Sequence, residues 1–165
     1  MARRDATGPV TLSVLDRLID RDPKTSSEIP FTRAQSLREL RQSLKRDLEW
    51  LLNTRKTIDP SPDSARETVH SVYHYGFPDV SSKSVLSTRD HSDLMRDMET
   101  AIAIFEPRLK RAKVRMEPVE GSFRMLRFVI EGLLCMDPAP EPVRFDTVLE
   151  LGNGEYEIKG ADLAQ

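Results

Sequence analysis

VRFDTVLELGNGEYEIK (143–159) is a pair of alternating runs joined by glycines. Val143, Phe145, Thr147 and Leu149 alternate with Arg144, Asp146, Val148 and Glu150, and Tyr156 and Ile158 alternate with Glu155, Glu157 and Lys159. A period of two sends successive side chains to opposite faces of a strand. Gly152-Asn153-Gly154 supplies the tight turn of a hairpin. The same period extends upstream. Leu126, Phe128, Ile130 and Leu134 alternate with Arg127, Val129, Glu131 and Leu133, and Val114 and Met116 alternate with Lys113, Arg115 and Glu117. The alternation predicts about four strands in a mainly antiparallel sheet.

Before residue 110 the period is helical. Between Ala34 and Arg55 the residues Leu37, Leu40, Leu44, Leu48, Leu51 and Leu52 recur at steps of three or four, which makes one apolar stripe. Thr32 is placed to cap its start. A second helix is predicted from Thr88 to Phe105, with Leu94, Met95, Met98, Ala101, Ile102 and Phe105 on its buried face and Pro107 as the stop. Val10, Val14, Leu15 and Leu18 predict a short amphipathic helix over 10–20. A turn or two at 67–75 carries Val69, Val72 and Tyr73 and ends in YGFPD (75–79). Proline- and serine-rich stretches at 22–32, 57–66 and 80–87 read as loops. Helices first and strands after give an α+β fold, N-terminal amphipathic helices packed on a C-terminal sheet. The expected organisation is a loose tail at 1–9, one domain at 10–160 and a short tail at 161–165.

The chain has 165 residues, with 25 Lys plus Arg against 27 Asp plus Glu. A formal charge of −2 excludes the strong basic field of a bulk nucleic-acid binder. A single cysteine, Cys135, excludes an intrachain disulfide framework. No apolar run approaches the roughly 20 residues of a spanning helix. Arg3-Arg4 is not followed by an apolar segment with a cleavage site, so it is not read as an export signal. The expected compartment is the cytoplasm.

Few residues carry chemistry. Glu106, in FEPRL (105–109), has the apolar neighbours that let a carboxylic acid act as a general acid, but no spacing singles out the second carboxylate a glycosidase needs. The plainer reading is an ion pair with Arg108 or another arginine at a helix end. His70 and His74 are four apart, as zinc ligands on a helix are, yet no third ligand is evident. Cys135, at the end of an apolar strand, reads as a small buried hydrophobe. Trp50 is either core or a partner-facing anchor. The polar last strand reads as a sheet edge able to recruit another strand. These residues point to an interaction role, with no catalytic residue, no metal and no cofactor.

Five strings, SVLDRLID (13–20), SLKRDLEWLLNTR (43–55), YGFPD (75–79), IAIFEPRL (102–109) and VRFDTVLEL (143–151), resemble the TssE family of type VI secretion baseplate subunits. That family is grouped with the wedge proteins of contractile phage tails and historically labelled lysozyme-like. The resemblance runs from about residue 13 to 159. It implies a non-enzymatic wedge subunit that helps assemble the baseplate and start sheath polymerisation. Its implied partners are TssF, TssG and TssK and the sheath subunits TssB and TssC, with weak or no self-association. The implied location is the cytoplasm, docked at the inner face of the inner membrane without insertion. The family's Glu-Pro-Arg motif maps onto Glu106, Pro107 and Arg108, where it implies assembly contacts, with Arg108 reaching an acidic group on a partner. Phe145, Asp146, Thr147, Tyr156 and Ile158 would set register along the terminal hairpin. The competing readings are a peptidoglycan-cleaving enzyme and an unrelated cytoplasmic adaptor domain.

Overall fold

Among the described residues, three α-helices precede a four-stranded sheet. They are α1 (Val14–Leu18), α2 (Arg33–Asn53) and α3 (Thr88–Phe105), followed by β1 (Leu109–Glu117), β2 (Met125–Leu134), β3 (Glu141–Glu150) and β4 (Glu155–Leu163). The computed structural model describes residues 10–20, 23–24, 31–58, 66–80, 87–117, 119, 125–137, 139–152 and 154–163. The expected tail at 1–9, the loop segments at 21–22, 25–30, 59–65 and 81–86, Asn153 of the hairpin turn, and residues 164–165 lie outside the described residues. The fold is α+β as the periods imply, with strand order β1-β2-β3-β4 and every pairing antiparallel.

The helices begin where their caps allow. Thr32 accepts from the Gln35 N–H while the Gln35 side chain accepts from the Thr32 N–H, a reciprocal capping box that satisfies two donors at once. Ser87 caps α3 in the simpler way, accepting from the Asp90 N–H. Leu40, Leu44, Leu48, Leu51 and Leu52 of α2 and Leu94, Met98, Ala101 and Ile102 of α3 are buried against one face of the sheet. That face carries Phe128 and Ile130 of β2, Val143, Phe145 and Leu149 of β3, and Tyr156 and Ile158 of β4. Each buried Val, Leu, Ile, Phe or Met among them contributes roughly 1.5–3 kcal/mol on leaving water.

The opposite face is ionic. Arg127 reaches Glu117 at 3.4 Å and Asp146 at 3.2 Å, Arg115 reaches Glu131 at 3.3 Å, and Arg144 reaches Asp146 at 3.4 Å. Val129 sits among them, paired across the strands with Arg115 and Asp146, and is only 2% exposed. Alternation alone places it toward solvent; the stems of the surrounding charged residues explain its burial.

Three expectations change. The first helix is five residues long, and its apolar side chains Val14, Leu15 and Leu18 are exposed; Val10, ahead of it, is the buried one. Residues 66–70 and 72–74 are two short 3₁₀ turns split at Ser71, with Val69, Val72 and Tyr73 exposed and His74 buried. An i, i+4 histidine pair needs a continuous α-helix, so His70 and His74 are not presented together. Cys135 lies one residue past β2 and is exposed, because its strand ends on Leu134.

YGFPD serves packing. Phe77 donates its N–H to the Thr54 carbonyl at 2.7 Å and accepts from the Lys56 N–H at 3.0 Å, pinning it beside the end of α2. Its ring, 2% exposed, meets Tyr156 edge-on at 5.7 Å. Gly76 makes this possible with a φ of 117°, and a Cβ there would stand 2.4 Å from the Thr54 carbonyl oxygen. Gly76→Ala is therefore expected to cost about 2 kcal/mol or more in urea unfolding. Gly152→Ala, where a Cβ meets nothing within 4 Å, should be close to neutral in the same measurement.

Candidate functional site

The Glu-Pro-Arg turn joins the last helix to the first strand. Glu106 is the C-terminal cap of α3 and donates its N–H to the Ile102 carbonyl at 2.9 Å. Pro107 forbids another helical turn. The Leu109 N–H then closes on the Glu106 carbonyl at 3.1 Å, and β1 begins. The Arg108 carbonyl accepts from the Cys135 N–H at 2.7 Å, which ties the turn to the end of β2.

The side chains fold back on the same turn. Arg108 donates from Nε to Glu106 Oε1 and from Nη2 to Glu106 Oε2, each at 2.7 Å, a forked pair. Nη2 also donates to Asp47 Oδ2 at 2.6 Å, and Nη1 lies 3.4 Å from Ser43 Oγ. Both acceptors stand on α2. Hydrogen bonding to Glu106 is the foremost reason that the guanidinium is held more firmly charged than usual, against the cost of burial and with Asp47 assisting. Both Glu106 oxygens are engaged by Arg108, so the carboxylate is one half of a structural pair.

The pair continues outward. Asp47 Oδ1 takes Arg46 at 2.8 Å, and Arg46 takes Asp16 of α1 at 3.0 Å. Asp16 also accepts from Ser13, the cap of α1. Burial opposes its charge, but hydrogen bonds from Ser13, Ser43 and Arg46 outweigh that and hold its carboxyl below the ordinary range. Glu106, Arg108, Asp47, Arg46 and Asp16 thus form one chain of alternating charge across three helices, with three carboxylates and two guanidiniums.

Beside it runs a groove of about 360 Å³ lined by Leu15, Trp50, Leu51, Tyr75, Phe105 and Pro107 with Asp47, Glu106 and Arg108. Trp50 is 52% exposed, with Arg46 over its ring at 4.9 Å. Tyr75 meets Phe105 edge-on at 5.3 Å, and burial, with the charges of Asp47 and Glu106, raises its phenol above the ordinary value. An apolar floor rimmed by fixed charge suits a protein partner. No group of three or more His, Cys, Asp or Glu side chains stands ready for a metal among the described residues.

The hairpin residues lie elsewhere. Phe145 and Thr147 are fully buried, Tyr156 is 4% exposed and Ile158 1%, all facing the helices, while Asp146 faces outward into the ionic grid. β4 is nevertheless an edge of the sheet. What the sequence reading missed is Asp47, 61 residues from Arg108, together with Arg46 and Asp16. Its signal was an Arg-Asp pair beside a buried leucine stripe.

A family model described as baseplate wedge protein gp25 matches residues 38–139. The matched stretch holds Arg46, Asp47, Glu106, Pro107 and Arg108; Asp16 and the whole β3–β4 hairpin fall outside it. No curated protein matches the chain.

Arg108→Ala is expected to destabilise the fold by about 2–3 kcal/mol, because it leaves Glu106 and Asp47 without their shared cation. A double-mutant cycle with Asp47→Ala should show a coupling well above measurement error. Acid unfolding tests Asp16. A carboxyl depressed in the folded state stabilises fully above about pH 4 and loses that contribution as pH falls through its folded value. Asp16→Asn should flatten the stability profile in that window.

Proposed function

Since the chain belongs to the baseplate wedge protein gp25 family, we propose that it is a non-enzymatic structural subunit of a type VI secretion baseplate wedge that helps start the contractile sheath. The family match over 38–139 carries this reading. The five strings resembling TssE supply the secretion system, and the partners follow from it: TssF, TssG and TssK in the wedge, TssB and TssC in the sheath. The working location is the cytoplasmic side of the inner membrane. No helix among the described residues is long and apolar enough to cross a membrane.

The wedge contact is assigned to the groove beside Glu106-Pro107-Arg108. Arg108 already has two carboxylates of its own chain, so its part is to hold α2, α3 and the groove rim in one geometry. The partner's apolar side chains would enter between Leu15, Trp50 and Phe105. An acidic partner group aimed at Arg108 would meet Glu106 and Asp47 first, so charge favours a partner that brings a cation. The sheath contact is assigned to β4, where an extended strand would add through backbone hydrogen bonds. With Phe145, Thr147, Tyr156 and Ile158 committed to the core, backbone rather than those side chains would carry that contact.

Co-expression with TssF and TssG, read by size exclusion with light scattering, tests the wedge role. A stable complex is expected. Leu15→Asp and Trp50→Ala leave the Glu106–Arg108–Asp47 pairs in place and should each weaken the complex by about tenfold or more. A folded monomer that joins neither subunit would overturn the reading. A complex indifferent to both substitutions would move the contact away from the groove.

A further inference from the structure

The outer rim of β4 is not open along its length. Tyr156 donates its N–H to Asn53 Oδ1 at 2.8 Å, and its carbonyl accepts from Asn53 Nδ2 at 2.9 Å. Ile158 donates its N–H to Glu49 Oε1 at 3.1 Å. Along an antiparallel strand alternate residues turn their peptide groups away from the neighbour. These are therefore the groups that any added strand would have to engage, and side chains of α2 already hold them.

The fit is geometric. Glu49 and Asn53 are four apart on α2, about 6 Å along the axis. Ile158 and Tyr156 are two apart on β4, about 6.7 Å. Helix and strand run in opposite directions with matched spacing. One turn further back stands Lys45, whose ammonium has no acceptor for an N–H; it lies 3.7 Å from Glu49 instead. β4 also changes register there, since Thr147 faces Ile158 but Asp146 faces Gly160, leaving Lys159 as the extra residue of a bulge. The helix thus serves the first half of the rim and stops where the strand bends. The other edge has a matching device: Glu99 of α3 accepts from the Val114 N–H of β1 at 3.0 Å.

We propose that Asn53 and Glu49 form a lock on the β4 rim that keeps the chain from pairing edge to edge with a second copy of itself. The occupant it excludes is an antiparallel β4, whose backbone is what the rim complements. A strand that binds here in the assembly enters beyond Lys159 and displaces Glu49 and then Asn53. This last step rests on the proposed sheath contact; the exclusion of a second copy does not.

The test uses the full chain alone. Glu49→Ala/Asn53→Ala is expected to keep its helical circular dichroism and to run as a concentration-dependent dimer in light scattering. Wild type and Glu49→Gln, which keeps a carbonyl acceptor, should remain monomeric. A folded double variant that stays monomeric at the same concentrations would overturn the proposal. Should the double variant fail to fold, Glu49→Ala alone decides by hydrogen exchange. At dilution the Ile158 amide should exchange about tenfold faster while Tyr156 keeps its protection, and raising the concentration should restore protection at Ile158; exchange at Ile158 that does not respond to concentration would overturn it. No wedge or sheath subunit is present, so failure of the baseplate reading and failure of the lock are separate results.

Discussion

Arg108 is the interaction on which the arrangement of layers depends. It sits in the turn that converts the last helix into the first strand, and its guanidinium spans the two longest helices through Glu106 and Asp47. Glu106 ends α3, Asp47 lies in the middle of α2, and the Arg108 carbonyl holds the end of β2. Hydrophobic burial would press the helices onto the sheet in many orientations, since it is non-directional. A forked pair with a second carboxylate admits one. The motif therefore organises the framework first, and the groove beside it inherits its shape from that organisation.

The two faces of the sheet divide the work. The inner face carries the aromatic and branched side chains that meet the helices, and the outer face carries an interlocking set of arginines and acids over Val129. The edges follow a third rule, with helix side chains as acceptors for strand N–H groups on both rims. An apolar core, an ionic cover and partly guarded rims leave the groove at Leu15, Trp50 and Phe105 as an apolar exposure with charge at its border.

Much of the fold was legible because periodicity is a local property. Leu40, Leu44, Leu48 and Leu51 announce the helix, Val143, Phe145, Thr147 and Leu149 announce the strand, and Pro107 announces the boundary between them. The string around Glu106 stands out by its composition and by its resemblance to the TssE family. What periodicity cannot convey is which distant residue answers a given charge. Asp47 and Asn53 look like ordinary polar positions on an amphipathic helix, and only the tertiary arrangement makes one a partner of Arg108 and the other a partner of Tyr156. Val129 and α1 failed in opposite senses. Neighbouring charged stems covered a residue that alternation turns outward, and an amphipathic pattern was left with its apolar side exposed. In both cases the outcome depends on neighbours from other elements.

The spacing match between α2 and β4 has a mechanical consequence. Because one helical turn nearly equals two strand residues, the contacts at Tyr156 and Ile158 are commensurate. Sliding the helix along the strand by a fraction of a turn spoils both hydrogen bonds together, and a full turn brings Lys45 or the end of the helix to the rim in place of one acceptor. The position of β4 is thereby tied to α2, and through Asp47, Arg108 and Glu106 to the end of α3. The α2–β4 contact therefore resists sliding along the strand, and the Asp47–Arg108 pair extends that fixed relation toward the turn that ends α3.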